Sequence, residues 1–291
     1  FDDEFRNQSR ICDNPYGIGN TGNKIVEVIK NININDTLLT KKMTNKGTFC
    51  GDADHYEGIQ NFNFITKFLH RTRFRNLEIL ITRASIEKNE KLKIVDVGCG
   101  DSSAYIAIKG LGVDFDYTGI ELRKDFCDIA NKKYNQYENF KIIQGSIESH
   151  FEKFTDADVI IGLESFEHIP PWLVVRTIEA ISKASFMYLY ITVPNEVGPA
   201  ILVKNIGSAL KGYERHLEYE WRETFFSSIY DLDKVKRHNL GHKGFDWRWL
   251  AQTLRLHSTI VKMTTSPTNF IPKFISPSIG FICIKIENDL N

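Results

Sequence analysis

The stretch KIVDVGCGDSS, residues 93–103, decides the fold. Its first half is an apolar strand (Ile94, Val95, Val97) that runs directly into Gly98-Cys99-Gly100, ahead of a segment able to start a helix. Glycines at the carboxyl end of a strand let the backbone turn sharply and come close to a ligand. The free N–H groups of the following helix point toward the same place. Asp96 and Asp101 put carboxylates where a phosphate-binding loop avoids them. An acidic, glycine-rich strand end suits a ligand with a cationic amino group and ribose hydroxyls. The loop has neither the G-x-G-x-x-G spacing of a dinucleotide fingerprint nor the Lys-Ser/Thr of a P-loop.

The seven residues VDVGCGD at 95–101, D-x-G-C-G after an apolar strand, resemble motif I of the class I S-adenosylmethionine-dependent methyltransferases. The resemblance implies S-adenosylmethionine as cofactor, lying over Asp96, Gly98, Cys99, Gly100 and Ser102. It also implies a Rossmann-like, doubly wound α/β fold: a mostly parallel seven-stranded sheet with helices on both faces and an antiparallel terminal strand. The alternation downstream predicts the same βαβ architecture. Strands are expected at 93–98, 116–122, 140–146, 156–165 and 186–195, helices at 103–111, 124–137 and 172–182, and a closing strand pair at 258–263 and 279–286. Ahead of the sheet, Ile59, Phe62, Ile65, Phe68 and Leu69 recur at helical period.

In such sheets ligands bind at the carboxyl ends of the strands. Glu121 ends the second strand, where a carboxylate accepts hydrogen bonds from vicinal ribose hydroxyls, and the neighbouring Leu122 can pack on an adenine. Gly145-Ser146-Ile147 ends the third strand. The family often has Asp or Asn there, so Ser146 departs from the pattern and a backbone N–H of Ile147 is the substitute.

A second constellation follows the fourth strand. GLESFEHIPP, residues 162–171, holds Glu164, Glu167 and His168 within five positions. On an opening helical turn E-x-x-E-H brings the two carboxylates to one face with the imidazole adjacent, a donor set suited to Mg²⁺ or Mn²⁺. Paired with a later H-x-x-F-D/E-W, His242 to Trp247 here, it resembles the metal-dependent small-RNA 3′-terminal 2′-O-methyltransferases. That resemblance implies Glu164, Glu167, His168 and His242 as metal ligands. Ubiquinone-biosynthesis O-methyltransferases share the E-x-x-E-H turn, so the motif chooses no substrate, and a turn of this kind often borders the cofactor (Glu164 here) with no metal at all. His168 or His242 can equally act as general base on a substrate hydroxyl, and His242 can cap a helix.

Bulk composition narrows the partners. Lys+Arg and Asp+Glu both number 37, leaving no net field for nucleic acid; the basic run at 67–83 reads as the solvated face of a helix. Five scattered cysteines with no C-x-x-C pair fit reduced thiols in a cytoplasm. No apolar run reaches membrane-spanning length. Residues 1–50 form an Asn-, Asp- and Gly-rich extension with a short helical pattern at 24–30. Within it, residues 12–31 resemble the C-terminal end of UDP-N-acetylglucosamine 2-epimerases, which implies nucleotide-sugar or glycan metabolism. Phe1 in place of Met fits a segment of a longer fusion. Residues 51–291 are expected to form the methyltransferase domain, with 198–243 (Tyr213, Arg215, His216, Tyr219, Trp221, Arg222) as a substrate lid. The expected acceptor is a small molecule or glycan hydroxyl. An RNA 3′-terminal ribose and a non-catalytic Rossmann-like binding module remain the alternatives.

Overall fold

The computed structural model describes residues 64–210, 219–237 and 242–286. The epimerase-like segment, the helix expected at 24–30, the apolar positions at 59–69 and lid residues Tyr213, Arg215 and His216 lie outside the residues or side chains described. The chain enters through α1 (Phe64–Lys88) and then alternates β1 (Leu92–Val97), α2 (Ser103–Lys109), β2 (Phe115–Glu121), α3 (Lys124–Tyr134), β3 (Phe140–Gln144) and β4 (Val159–Leu163). It continues through α4 (Pro171–Ser182), β5 (Tyr188–Pro194), α5 (Pro199–Leu210), α6 (Trp221–Ser228), α7 (Trp247–His257), β6 (Thr259–Thr265) and β7 (Ser278–Ile284).

The sheet has seven strands in the order β3-β2-β1-β4-β5-β7-β6. β1 to β5 pair in parallel, and β7 alone is antiparallel to its neighbours β5 and β6. The expected antiparallel strand is therefore last in the chain but one place in from the sheet edge. From β1 the chain winds outward through β2 and β3, then returns to place β4 on the other flank of β1. That reversal opens a crevice beyond the carboxyl ends of β1 and β4. The glycine turn after β1 and the E-x-x-E-H turn after β4 both lie at this switch point.

Alternating side chains give the sheet two apolar faces. Ile94, Tyr117, Val159, Ile161 and Tyr190 pack under Leu77 and Ile81 of α1, Tyr105 and Ile108 of α2 and Ala130 of α3. Val95, Val97, Ile160, Leu189, Ile191 and Phe281 pack under Val174 and Ile178 of α4 and Leu250 and Leu254 of α7. Two helices stop earlier than the periodicity predicts. α2 ends at Gly110, with Gly112 following at φ +69°, and α3 ends at Asn135. Residues Ile147–Phe154 form a 3₁₀ segment that apolar patterning did not signal.

Candidate active site

Three left-handed residues shape the turn after β1: Gly98 (φ +66°), Gly100 (φ +55°) and Ser102 (φ +60°). A Cβ on Gly98 would stand 2.6 Å from Cβ of Ser165, whereas one on Gly100 would meet nothing within 4 Å. Gly98 is thus forced by its neighbour on the β4 turn, which is itself fastened by Ser165 Oγ donating to the Val97 carbonyl at 2.6 Å. Gly100 faces open space. Gly98→Ala combines left-handed strain with this clash and should lower the melting temperature by roughly 5 °C, about 2 kcal/mol, in a calorimetric scan.

The turn's other side chains point inward. Cys99 is buried, and its Sγ lies where a Cβ on Gly119 of β2 would approach to 2.5 Å. The fully buried Ser102 donates from Oγ to that sulfur at 3.5 Å. Both therefore offer the crevice only backbone. Asp101 accepts from the N–H (3.2 Å) and Oγ (2.6 Å) of Ser103, so it caps α2 rather than facing a ligand.

Asp96 is 2% exposed. Tyr117 donates its hydroxyl to Oδ2 at 2.6 Å, while Oδ1 is buried with no hydrogen-bond partner among the described residues. Burial pushes this carboxyl up to about 7, partly offset by the Tyr117 hydrogen bond. A buried acceptor left without a donor is costly and suits a cationic group brought by a ligand.

Glu121 ties two strand ends together. Oε2 accepts the Gly100 N–H at 2.9 Å and Oε1 accepts the Arg123 N–H at 2.8 Å. Burial raises its pKa, and these backbone donors pull it back. Next to it Leu122 is 69% exposed, an apolar side chain standing free at the crevice rim. At the end of β3 the Gly145 N–H donates to the Glu121 carbonyl at 2.9 Å. Ser146 is half-buried there and makes no side-chain cap to the 3₁₀ segment, while the Ile147 side chain is buried in the core. That leaves the backbone of Ile147 for the crevice.

After β4, Glu167 is 1% exposed and neither carboxylate oxygen has a hydrogen-bond partner among the described residues. His242 Nδ1 stands 3.5 Å and His168 Nε2 3.8 Å from its Oε1. One donor atom from each of the three residues falls within 4.8 Å of the others. The two imidazoles meet edge to face, with centroids 4.7 Å apart. Burial, reinforced by the charge of Glu164, drives the Glu167 pKa well above the usual carboxylate range, while the His168 ring stands half exposed beside it. Glu164 stands apart from this cluster. Its backbone is left-handed (φ +55°) and its Oε1 accepts from Ser278 Oγ at 2.6 Å. The structure thus brings three of the four expected donors together and holds the fourth on β7.

Arg73, read from sequence as part of a solvated basic face, stands elsewhere. Its Nε is buried with no hydrogen-bond partner among the described residues, and its charge favours ionised Asp96 and Glu167. With Asn76, Thr192, Thr264 and Ser278 it lines a small pocket between α1 and the β5–β7–β6 edge. Only the packing of α1 against β5 places it there, so no local motif signals it. Tyr219, expected in the lid insert, is 4% exposed.

Residues 69–253 match a family described as a methyltransferase domain. No curated protein matches the chain in sequence. The fold is similar to magnesium protoporphyrin IX methyltransferase from Synechocystis with bound S-adenosylhomocysteine (TM-score 0.51, 13% identity, covering 80% of this chain and 93% of that one). It is also similar to the CurJ carbon methyltransferase (TM-score 0.53, 13% identity, covering 80% and 58%) and to the methyltransferase domain of bacterial CtHen1 (TM-score 0.50, 13% identity, covering 74% and 99%).

Proposed function

The chain belongs to this methyltransferase-domain family as an S-adenosylmethionine-dependent enzyme, and from that premise we propose that it methylates a hydroxyl of a sugar, nucleotide sugar or glycan-related small molecule. S-adenosylmethionine supplies a methyl group already activated on a sulfonium. The protein must bind it, align an acceptor in line with the methyl group and exclude water.

Binding falls to the β1–β3 strand ends. Glu121 takes the ribose hydroxyls, Gly98 and Gly100 let the backbone approach, Leu122 covers the adenine, and the Ser146–Ile147 backbone meets its edge. Asp96 Oδ1 receives the ammonium of the methionine moiety, and Arg73 its carboxylate. The ammonium prefers ionised Asp96, whose pKa is about 7 in the free protein. Binding of S-adenosylhomocysteine should therefore tighten as pH rises through 7, about tenfold from pH 6 to pH 8. Calorimetric titration checks this, and Asp96→Asn should flatten the profile. Stability moves the opposite way: with the folded pKa raised, the native state holds the proton longer, so Asp96 costs stability as pH rises from about 4 to 7.

The observation that carries the hydroxyl acceptor is the cluster of Glu167, His168 and His242 at the β1/β4 crevice. A hydroxyl must lose a proton on methylation, and an imidazole backed by a buried carboxylate is suited to take it. Glu167, His168 and His242 would also hold a divalent cation, with Glu164 joining only by leaving Ser278. Two imidazoles favour Mn²⁺ over Mg²⁺. Such a cation, when bound, lowers the pKa of a coordinated hydroxyl.

The sugar class draws on the epimerase-like segment at 12–31 and on a net charge of zero. Buried thiols at Cys99, Cys127 and Cys283 fit a reducing cytoplasm, and no helix among the described residues is long and apolar enough to cross a membrane. Transfer of labelled methyl to nucleotide-sugar or glycan pools, located by mass spectrometry, tests the reading. Transfer confined to RNA 3′ ends, with a steep salt dependence, would replace it.

A further inference from the structure

A buried polar chain runs from the end of β5 to the His242 turn. Asn195 and Glu196, directly after β5, are both fully buried. Asn195 is fixed by its Nδ2 donating to the carbonyls of Lys273 (2.9 Å) and Ser276 (3.0 Å) and by its N–H donating to Pro277 (2.9 Å). Lys204 Nζ donates to Glu196 Oε1 at 2.8 Å, and the Tyr219 hydroxyl donates to Oε2 at 3.3 Å. That hydroxyl in turn accepts the N–H of Gly244 at 2.9 Å. Gly244 sits at φ +72°, where a Cβ would press to 3.2 Å on Arg237 Cα, and it lies two residues after His242.

A buried carboxylate–ammonium pair is a poor way to gain stability, because desolvation offsets the attraction, and its better-attested use is to fix a register. The register fixed here is that of the 242–246 turn. Lys243 is also anchored, through Glu223 at 2.6 Å, but Glu223 belongs to α6 within the same insert. Tyr219 and Glu196 join this turn to the rim of the central sheet, the rim that also carries Glu167.

We propose that Tyr219 and Glu196 are positioning residues for His242, setting its imidazole against Glu167 and His168 through the Gly244 amide. This rests on the assignment of His242 to the reaction site. The hydroxyl of Tyr219 is well suited to the task because it donates and accepts at once, which phenylalanine cannot do at nearly the same volume.

The test needs neither acceptor nor metal. Protein labelled at histidine ¹³Cε1 is examined by NMR, with His168 and His242 assigned from His168→Gln and His242→Gln. The edge-to-face contact predicts a cross-relaxation peak between the two rings. In Tyr219→Phe, and separately in Glu196→Gln, that peak should be lost and the His242 signal should move, while the His150 and His257 signals and the far-UV circular dichroism hold. If one variant fails to fold, the other decides. Survival of the peak in a folded variant, or its absence from the unsubstituted protein, would overturn the proposal. Methyl transfer unaffected by His242→Gln would instead retire the reaction-site assignment, which the ring-contact measurement does not depend on.

Discussion

Glu121→Ala should weaken S-adenosylhomocysteine binding about 100-fold. In the proposed site its carboxylate accepts from the ribose hydroxyls, and a hydrogen bond to a charged group is worth about 1.5–3 kcal/mol. Two such bonds to a vicinal diol amount to roughly 3 kcal/mol, which is about two decades of affinity. The substitution also releases the Gly100 and Arg123 amides that the carboxylate holds at 2.9 and 2.8 Å, so the turn loses its set as well as its acceptor. Glu121→Gln keeps one acceptor oxygen and should lose only about tenfold. Calorimetric titration measures both, and unchanged affinity in the alanine variant would remove Glu121 from the cofactor site.

Glu167→Gln should separate stability from activity. Both carboxylate oxygens are buried without a hydrogen-bond partner among the described residues. Replacing the carboxylate by a neutral amide of the same shape should therefore leave stability unchanged or raise it by about 1–2 kcal/mol, several degrees of melting temperature. Methyl transfer should nonetheless fall about 100- to 1,000-fold, the usual worth of a general-base assembly, with cofactor affinity unchanged. His242→Ala should fall as far. A variant that melts lower and still turns over normally would show Glu167 to be a structural residue only.

The fold was legible because its signals are local. Apolar strands that end in glycine and alternate with helical periods identify a doubly wound sheet from 93–103 outward. The helix ends at Gly110 and Asn135, the 3₁₀ segment at 147–154 and helices α5, α6 and α7, which were not among the expected elements, lay outside that pattern. Residues at strand ends, Asp96, Glu121 and Glu167, were legible for the same reason: the strand itself places them. What escaped depends on contacts far apart in the chain. Arg73 is carried by helix packing into the pocket beside the β5–β7–β6 side of the sheet, and Ser278 reaches Glu164 across 114 positions. Ser102 and Cys99 were expected among the cofactor contacts, and left-handed backbone at 102 and the bare Cα of Gly119 turn their side chains inward, leaving their backbone to the crevice. The burial of Tyr219 and its bond to Glu196 had no local signal, because sequence shows a residue's type and not its burial.

The most direct measurement is methyl transfer from labelled S-adenosylmethionine to a mixed pool of nucleotide sugars and glycans, with the product's methyl position read by mass spectrometry. The expected product is a methyl ether on a sugar hydroxyl, formed by the unsubstituted protein and lost in Glu121→Ala, Glu167→Gln and His242→Ala. A methyl group found on nitrogen or carbon, or an ether still formed at full rate by His242→Ala, would contradict it.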